Sequence, residues 1–441
     1  MHLHKSPRQF TWPGQLILNL LWFALNLLSA ALLPLVVPTQ ILLFVAPGQV
    51  GSTEQVTLLA WISALGAIIT LFVPPVIGLL SDNTPGSLGR RRPYILAGSI
   101  VVLLAVPLLV VANTMILLLL GLGILLIGIN VITAGYQSLT PDLVPQEQRG
   151  TAAGYMGFMT ILGNVGSLAL AAWLFSSVNL HSTGADTIQR GAILYYVSTA
   201  SVLLISSFIT LLGMKEIPLS PRTISLIQIE KKIPLRLHEW FIHNWAKPWR
   251  SYNFTIVFLT RSAVMMGLGL FMTFIEYYFA NVAHVTNFVQ AAAAIAVLGL
   301  LGAVFSALIL GIFSDRVKRR VPLLCIATAC MALASFAFVV FPGNFILWPL
   351  SVLFGLGYGA YTSVGWALSM DVLPASESTG KDLGIWNASS TLPIVIAPLL
   401  GSLIIFLAHI QGSLALGYRL VFATAALLLL LSAVGVLFVR E

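Results

Sequence analysis

The fold turns on the stretch Gly78-Leu79-Leu80-Ser81-Asp82-Asn83-Thr84-Pro85-Gly86-Ser87-Leu88-Gly89-Arg90-Arg91-Arg92-Pro93. It is a short, polar and strongly basic segment set between two long apolar runs. An apolar helix of about 20 residues crosses the hydrocarbon core of a bilayer, roughly 30 Å thick. Three consecutive arginines at the end of such a segment hold it on the cytoplasmic side, because Lys and Arg resist translocation. The same pattern returns later as Gly311-Ile312-Phe313-Ser314-Asp315, followed by Arg319-Arg320-Val321-Pro322.

Working outward, apolar runs bounded by charge, Gly/Pro or polar clusters number twelve. They lie near 14–45, 54–80, 94–112, 115–141, 150–176, 190–213, 252–281, 286–313, 321–341, 345–372, 382–409 and 418–438. The longest polar stretch falls between the sixth and seventh. The expected division is therefore a six-helix bundle over 1–213, a cytoplasmic linker over 214–251 and a second six-helix bundle over 252–441. The linker mixes bases with Trp240, Trp245 and Trp249, so part of it reads as an amphipathic helix on the inner leaflet, with a flexible tether as the alternative. The first run is too long for a cleavable signal peptide and continues into an even array of spans.

Composition agrees with this reading. Of 441 residues, 58% are apolar and only 8% are Asp, Glu, Lys or Arg, against about 25% charged in an ordinary soluble domain. A water-soluble enzyme, a disordered scaffold and a nucleic-acid-binding domain are excluded. With the N terminus inside, 19 of the 22 basic residues fall on cytoplasmic segments. The net charge of +8 then reports topology and contact with anionic lipid, with no nucleic-acid partner. Both termini are expected in the cytoplasm, and the membrane is the cytoplasmic (inner or plasma) one. Cys325 and Cys330 sit on different faces of one helical run, so neither a disulfide nor a metal site is expected.

The halves repeat one another. Asp142-Leu143-Val144-Pro145 with Gly150 to Gly154 corresponds to Asp371-Val372-Leu373-Pro374 with Gly380 to Gly384. Pro93/Pro322, Asp142/Asp371 and Gly150/Gly380 stand at offsets of 229 or 230 residues. Two parallel six-helix repeats form one of the known transporter architectures. On these residues the chain resembles the major facilitator superfamily, the Gly-x-x-x-Asp…Gly-Arg-Arg-Arg loop being its signature. Ser81-Asp82…Gly89 to Ile95, Asn130…Tyr136 to Pro145, Leu259-Thr260-Arg261…Tyr277-Tyr278 and Gly380 to Asn387 resemble its sucrose-transporter and glycoside–cation symporter branch. The resemblance implies an all-α membrane protein with twelve transmembrane helices in two pseudo-symmetric bundles.

It also implies a cytoplasmic gate. In the family, such an Asp and its Arg partners form a charge network that latches the inner side. Here that network comprises Asp82 with Arg90, Arg91 and Arg92, then Asp315 with Arg319 and Arg320. Asp142 with Arg149, and Asp371 with Lys381, join it. Exposed ion pairs of about 1 kcal/mol or less suit a latch that must open. The alternative is purely topological: the arginines keep the loop inside.

Charges within the spans are few, and such charges are functional by default. The seventh run carries Arg261 and Glu276, fifteen residues and roughly 22 Å apart on one broad face. Glu276 is the single carboxylate placed inside a run, away from helix ends and loops on either side. It is a candidate for proton coupling or for substrate contact; the remaining reading puts it solvated near the outer mouth. Arg261 is expected to meet backbone carbonyls or a helix terminus, or else an anionic substrate. The second run reads Gln55 to Gly66 without a carboxylate, where melibiose-type sodium symporters carry theirs. None stands on the fourth before Asp142, where plant sucrose transporters carry one. These departures point away from sodium and leave an uncoupled facilitator open.

Neutral polar residues fall into helical stripes. They include Trp22 and Asn26 on the first run, Asn130 and Gln137 on the fourth, and Asn164 on the fifth. Tyr277 lies beside Glu276 on the seventh, Tyr358 and Trp366 on the tenth, and Asn387 on the eleventh. Lipid cannot hydrogen-bond such groups, so they face a cavity or another helix. A polyol needs neutral donors, acceptors and an aromatic face, and these residues supply them. The expected function is secondary transport of a small polar solute, a sugar or glycoside, by alternating access, with a proton as candidate co-substrate. The alternatives are a lipid or lysolipid facilitator and an uncoupled uniporter. No catalytic constellation, cofactor or oligomer is expected.

Overall fold

The computed structural model describes residues 12–45, 50–82, 84, 88–144, 149–178, 184–214, 251–317, 319–342, 345–372 and 379–439. Among them the regular structure is helical. The first half holds α1 (Trp12–Ser29), a π-helical turn (Leu32–Val36), α2 (Val37–Ile41), α3 (Thr53–Asp82), α4 (Arg92–Val110), α5 (Met115–Leu143), α6 (Arg149–Leu174) and α7 (Ala185–Gly213). The second holds α8 (Tyr252–Asn281), α9 (Phe288–Val317), α10 (Arg320–Val340), α11 (Leu347–Val372), α12 (Thr379–Ile410) and α13 (Leu414–Val436). Eleven spans among the described residues are long and apolar enough to cross a bilayer. The remaining expected run, 345–372, is helical as α11. The surface helix expected within 214–251 falls outside the described residues.

One expected span is broken. The run 14–45 forms α1, then the π-helical turn, then the short α2. Pro34 lies within the turn and Pro38 at the start of α2, each lacking the N–H that would continue an α-helical ladder. Backbone groups freed in a membrane must find partners inside the protein. Ser167 and Tyr195 provide them: the Ala31 N–H donates to Ser167 Oγ at 2.9 Å, and the Tyr195 hydroxyl lies 3.0 Å from the Leu28 carbonyl.

The chain groups into two compact units. One comprises Met1–Leu32, Ile68–Leu174 and Gln189–Lys232; the other comprises Leu33–Ala67, Phe175–Ile188 and Ile233–Glu441. In the first, α1 packs on α6 and α5, and α4 on α5. In the second, α8 packs on α13 and α12, α9 on α11, and α10 on α11 and α13.

Small residues permit these approaches, since lipid removes the hydrophobic drive between helices and leaves close packing and hydrogen bonds. A Cβ on Gly355 or Gly359 of α11 would strike the backbone of Gly299 or Ala303 on α9. Aromatic rings fill the core of the second unit: Phe271 stacks on Phe354 at 4.3 Å, and Phe338 on Phe422 at 5.4 Å. Cys325 and Cys330 are free thiols.

Candidate functional site

Glu276 lies near the Asn281 end of α8, fully buried at 0% exposure. Such burial does not fit the solvated-mouth reading. Its Oε1 lies 3.1 Å from the hydroxyl of Thr39, carried by α2. Thr39 is itself fully buried, and its hydroxyl lies 2.8 Å from the Leu35 carbonyl in the π-helical turn. The other carboxyl oxygen of Glu276 and the Tyr277 hydroxyl are buried without hydrogen-bond partners among the described residues. Leaving polar atoms so is costly, and in a native protein such atoms mark strain, function or a missing small partner.

A hydrogen-bonded strap surrounds this group. The Gln55 side chain donates from Nε2 to the Pro38 carbonyl at 2.8 Å and accepts the Gly51 N–H at 2.6 Å. The Tyr418 hydroxyl of α13 donates to the Gly51 carbonyl at 2.6 Å. Gly51 has φ +75°, and a Cβ there would collide with Asn281 and Tyr418. Glycine is thus required both by the backbone conformation and by the close approach. Ser402 of α12 donates to the Val56 carbonyl at 3.2 Å. Beside the strap opens a cavity of about 440 Å³ lined by Val50, Ser52, Thr53, Glu54, Asn281, His409 and Leu414.

Arg261, toward the other end of α8, is half-buried and within electrostatic reach of Tyr358 and Tyr361 on α11. Two predicted site residues, Arg261 and Tyr358, are therefore brought together.

The first unit organises a second polar cluster. Trp22 stacks on Tyr136 at 5.2 Å, with ring planes 14° apart. Its indole N–H donates to Thr160 at 2.6 Å. The Tyr136 hydroxyl donates to Asn19 at 2.9 Å. Asn26 Nδ2 donates to the Trp22 carbonyl at 2.8 Å, and Asn130 Nδ2 to the Leu126 carbonyl at 2.8 Å. The Trp22 and Tyr136 bonds thus tie α1 to α6 and α5, whereas those of Asn26 and Asn130 return to their own helices. Asn164 is half-buried on α6, and Gln137 is exposed on α5. The side chains of Trp366 and Asn387 lie outside the described ones.

At the Arg-rich segment, Arg91 is buried and donates to Ser81, and Arg92 donates to the Leu211 carbonyl at the end of α7. Arg90 and Arg320 are half-buried and Arg319 exposed. The side chains of Asp82, Asp142, Arg149, Asp315, Asp371 and Lys381 lie outside the described ones. Among the described residues no cluster of His, Cys, Asp and Glu could hold a metal ion.

The family model described as Major Facilitator Superfamily matches residues 16–380 and 300–441. This chain belongs to the Major Facilitator Superfamily. It is similar to the general alpha-glucoside permease of Schizosaccharomyces pombe, 28% identical over 131 residues, 26% of this chain and 23% of that protein. The proline/betaine transporter of Escherichia coli K12 is 34% identical over 110 residues, 24% and 21% of the two chains. A sucrose transport protein of Oryza sativa subsp. indica is 43% identical over 56 residues, 13% and 11%. The chain spans less than a quarter of the length of these curated relatives. Solved major facilitator structures share the fold across nearly the whole chain. A D-xylose-proton symporter aligns with TM-score 0.67 and 15% identity, covering 95% of this chain and 97% of that one. An auto-inhibited POT family peptide transporter aligns with TM-score 0.70 and 14% identity, covering 97% of each.

Within this major facilitator frame, Thr39 is the neighbour of Glu276 that the sequence did not single out. The signal was present: Thr39-Gln40 is a polar pair inside the apolar run 30–45, directly after Pro38. The polar residues singled out on the first run are Trp22 and Asn26, and Thr39 lies beyond them on the far side of Pro34. The π-helical turn resets the helical phase and brings Thr39 to Glu276.

Proposed function

We propose that this protein is a secondary active transporter that moves a small polar solute, a sugar or glycoside, across the cytoplasmic membrane by alternating access, coupled to protons through Glu276. The observation that carries the coupling is the carboxyl at 0% exposure whose hydrogen-bond partner is a single threonine hydroxyl. A carboxyl kept there, with a threonine hydroxyl as its hydrogen-bond partner among the described residues, is costly unless it serves a purpose, and loading and unloading a proton is the purpose that needs least room. The glucoside and sucrose transporter relatives support a polyol solute, as do the neutral polar groups around Trp22.

The proposal extends to architecture and gating. Six-helix bundles over 1–213 and 252–441, with both termini in the cytoplasm, exchange access to the solute. Asp82 with Arg90, Arg91 and Arg92, and their counterparts Asp315, Arg319 and Arg320, latch the cytoplasmic side, together with Asp142, Arg149, Asp371 and Lys381. The protein acts as a monomer, catalyses no covalent chemistry and takes no cofactor.

The test is uptake of sucrose, maltose and glycine betaine into proteoliposomes, with and without an imposed pH gradient. Wild type is expected to accumulate a sugar only with the gradient. Glu276→Gln is expected to abolish accumulation while counterflow exchange persists. Gradient-driven accumulation by Glu276→Gln equal to wild type overturns proton coupling through this residue and leaves the uniporter reading.

A further inference from the structure

The Thr39 hydroxyl has one hydrogen and two oxygen neighbours. The Leu35 carbonyl, at 2.8 Å, can only accept. Glu276 Oε1, at 3.1 Å, accepts when ionised and can donate when protonated. Both contacts are satisfied together in one arrangement: Thr39 donates to Leu35, and a protonated Glu276 donates to Thr39 Oγ1. When the carboxyl gives up its proton to water, Oε1 becomes an acceptor. The hydroxyl must then turn toward it and release Leu35, because a hydrogen bond to a charged group is the stronger of the two.

We propose that Thr39 is the positioning residue that reads the protonation state of Glu276 and relays it to the π-helical turn of the first span. Leu35 lies within that turn, beside Pro34. A threonine bonded back to the carbonyl four residues earlier shapes the local helix, and releasing it changes that shape. Single π-helical turns inside α-helices concentrate at functional positions. The strap that begins at the Pro38 carbonyl, one residue before Thr39, runs through Gln55 and Gly51 to Tyr418 and carries the change to α3 and α13.

Other titratable groups near this end of α8 are few. Tyr277, next in sequence, interacts electrostatically with Glu276 and lies 6.2 Å from Tyr418 of α13. Arg419 of α13 interacts with Tyr278. Glu54 of α3 and His409 of α12 line the cavity beside Asn281. His284 follows the helix end, exposed. No titratable side chain of α9 precedes Asp315. Tyr358 and Tyr361 of α11 lie beside Arg261. Thr39 is the hydrogen-bond partner of the carboxyl among the described residues.

This inference rests on Glu276 as the coupling group, yet its test needs no solute. Infrared difference spectra of the purified protein are recorded across a pH titration, and the protonated-carboxyl stretch of Glu276 is assigned by its loss in Glu276→Gln. Thr39→Val removes the hydrogen bond and keeps the side-chain size. The ionised carboxyl loses more than the neutral one, so the midpoint is expected to move upward by about one pH unit, with a shift in the stretch. Thr39→Ala is expected to repeat the change, and Thr39→Ser to restore both readouts. An unchanged midpoint in Thr39→Val and Thr39→Ala overturns the relay. So does a Thr39→Ser variant that behaves like the valine, or the lack of any Glu276-dependent titrating band. A confirmed relay with undiminished driven uptake by Glu276→Gln would instead overturn the coupling reading alone.

Discussion

Tyr136 shows how a single hydroxyl sets the ring geometry of the first unit. It donates to the buried Asn19 side chain while its ring stacks on Trp22. Tyr136→Phe keeps the stack and leaves the Asn19 oxygen without that donor. A stability loss of about 1 kcal/mol is expected, read by thermal unfolding in detergent; a melting curve superposable on wild type would contradict it. At this scale Glu276 and Arg261 were legible because charges inside spans are rare. Thr39 was not, because one threonine among many has no signature until its partner is known.

The helices α9 and α11 meet through their backbones at Gly299, Gly355 and Ala303. Gly359→Val would force them apart or distort α11, since its Cβ would meet the Ala303 carbonyl. Overpacking of this kind costs about 1–3 kcal/mol, so folded yield and thermal stability should fall. Gly157→Ala on α6 is the control: its Cβ meets nothing within 4 Å, and alanine favours helix by about 0.5–1 kcal/mol. It should be neutral or slightly stabilising in the same assay. Gly355, Gly357 and Gly359 alternate inside one span, where small residues let helices approach closely. The break between α1 and α2 is only half visible along the chain: Pro34 and Pro38 cannot continue an α-helical ladder, but the π-helical turn depends on Ser167 and Tyr195, more than 130 positions away.

For the molecule as a whole, the distribution of Lys and Arg determines orientation. In a background with Cys325 and Cys330 replaced by serine, Gln411→Cys in the exposed turn before α13 should react with a membrane-impermeant maleimide on intact cells. Lys5→Cys should react only after permeabilisation. The reverse pattern would invert the proposed topology. Large apolar side chains such as Phe72, Leu104 and Phe305 are more than 60% exposed, as suits helices that face lipid.

The sequence by itself determined the helical class, the spans, the repeat and the charges worth examining. Each of these follows from composition and local periodicity against a bilayer of fixed thickness, so each is readable along the chain. Only the tertiary structure decided that Glu276 is sealed from solvent, that Thr39 is its partner, and that Trp22 gives its indole N–H to Thr160. Those outcomes depend on which faces of distant helices meet, and one π-helical turn was enough to change that register.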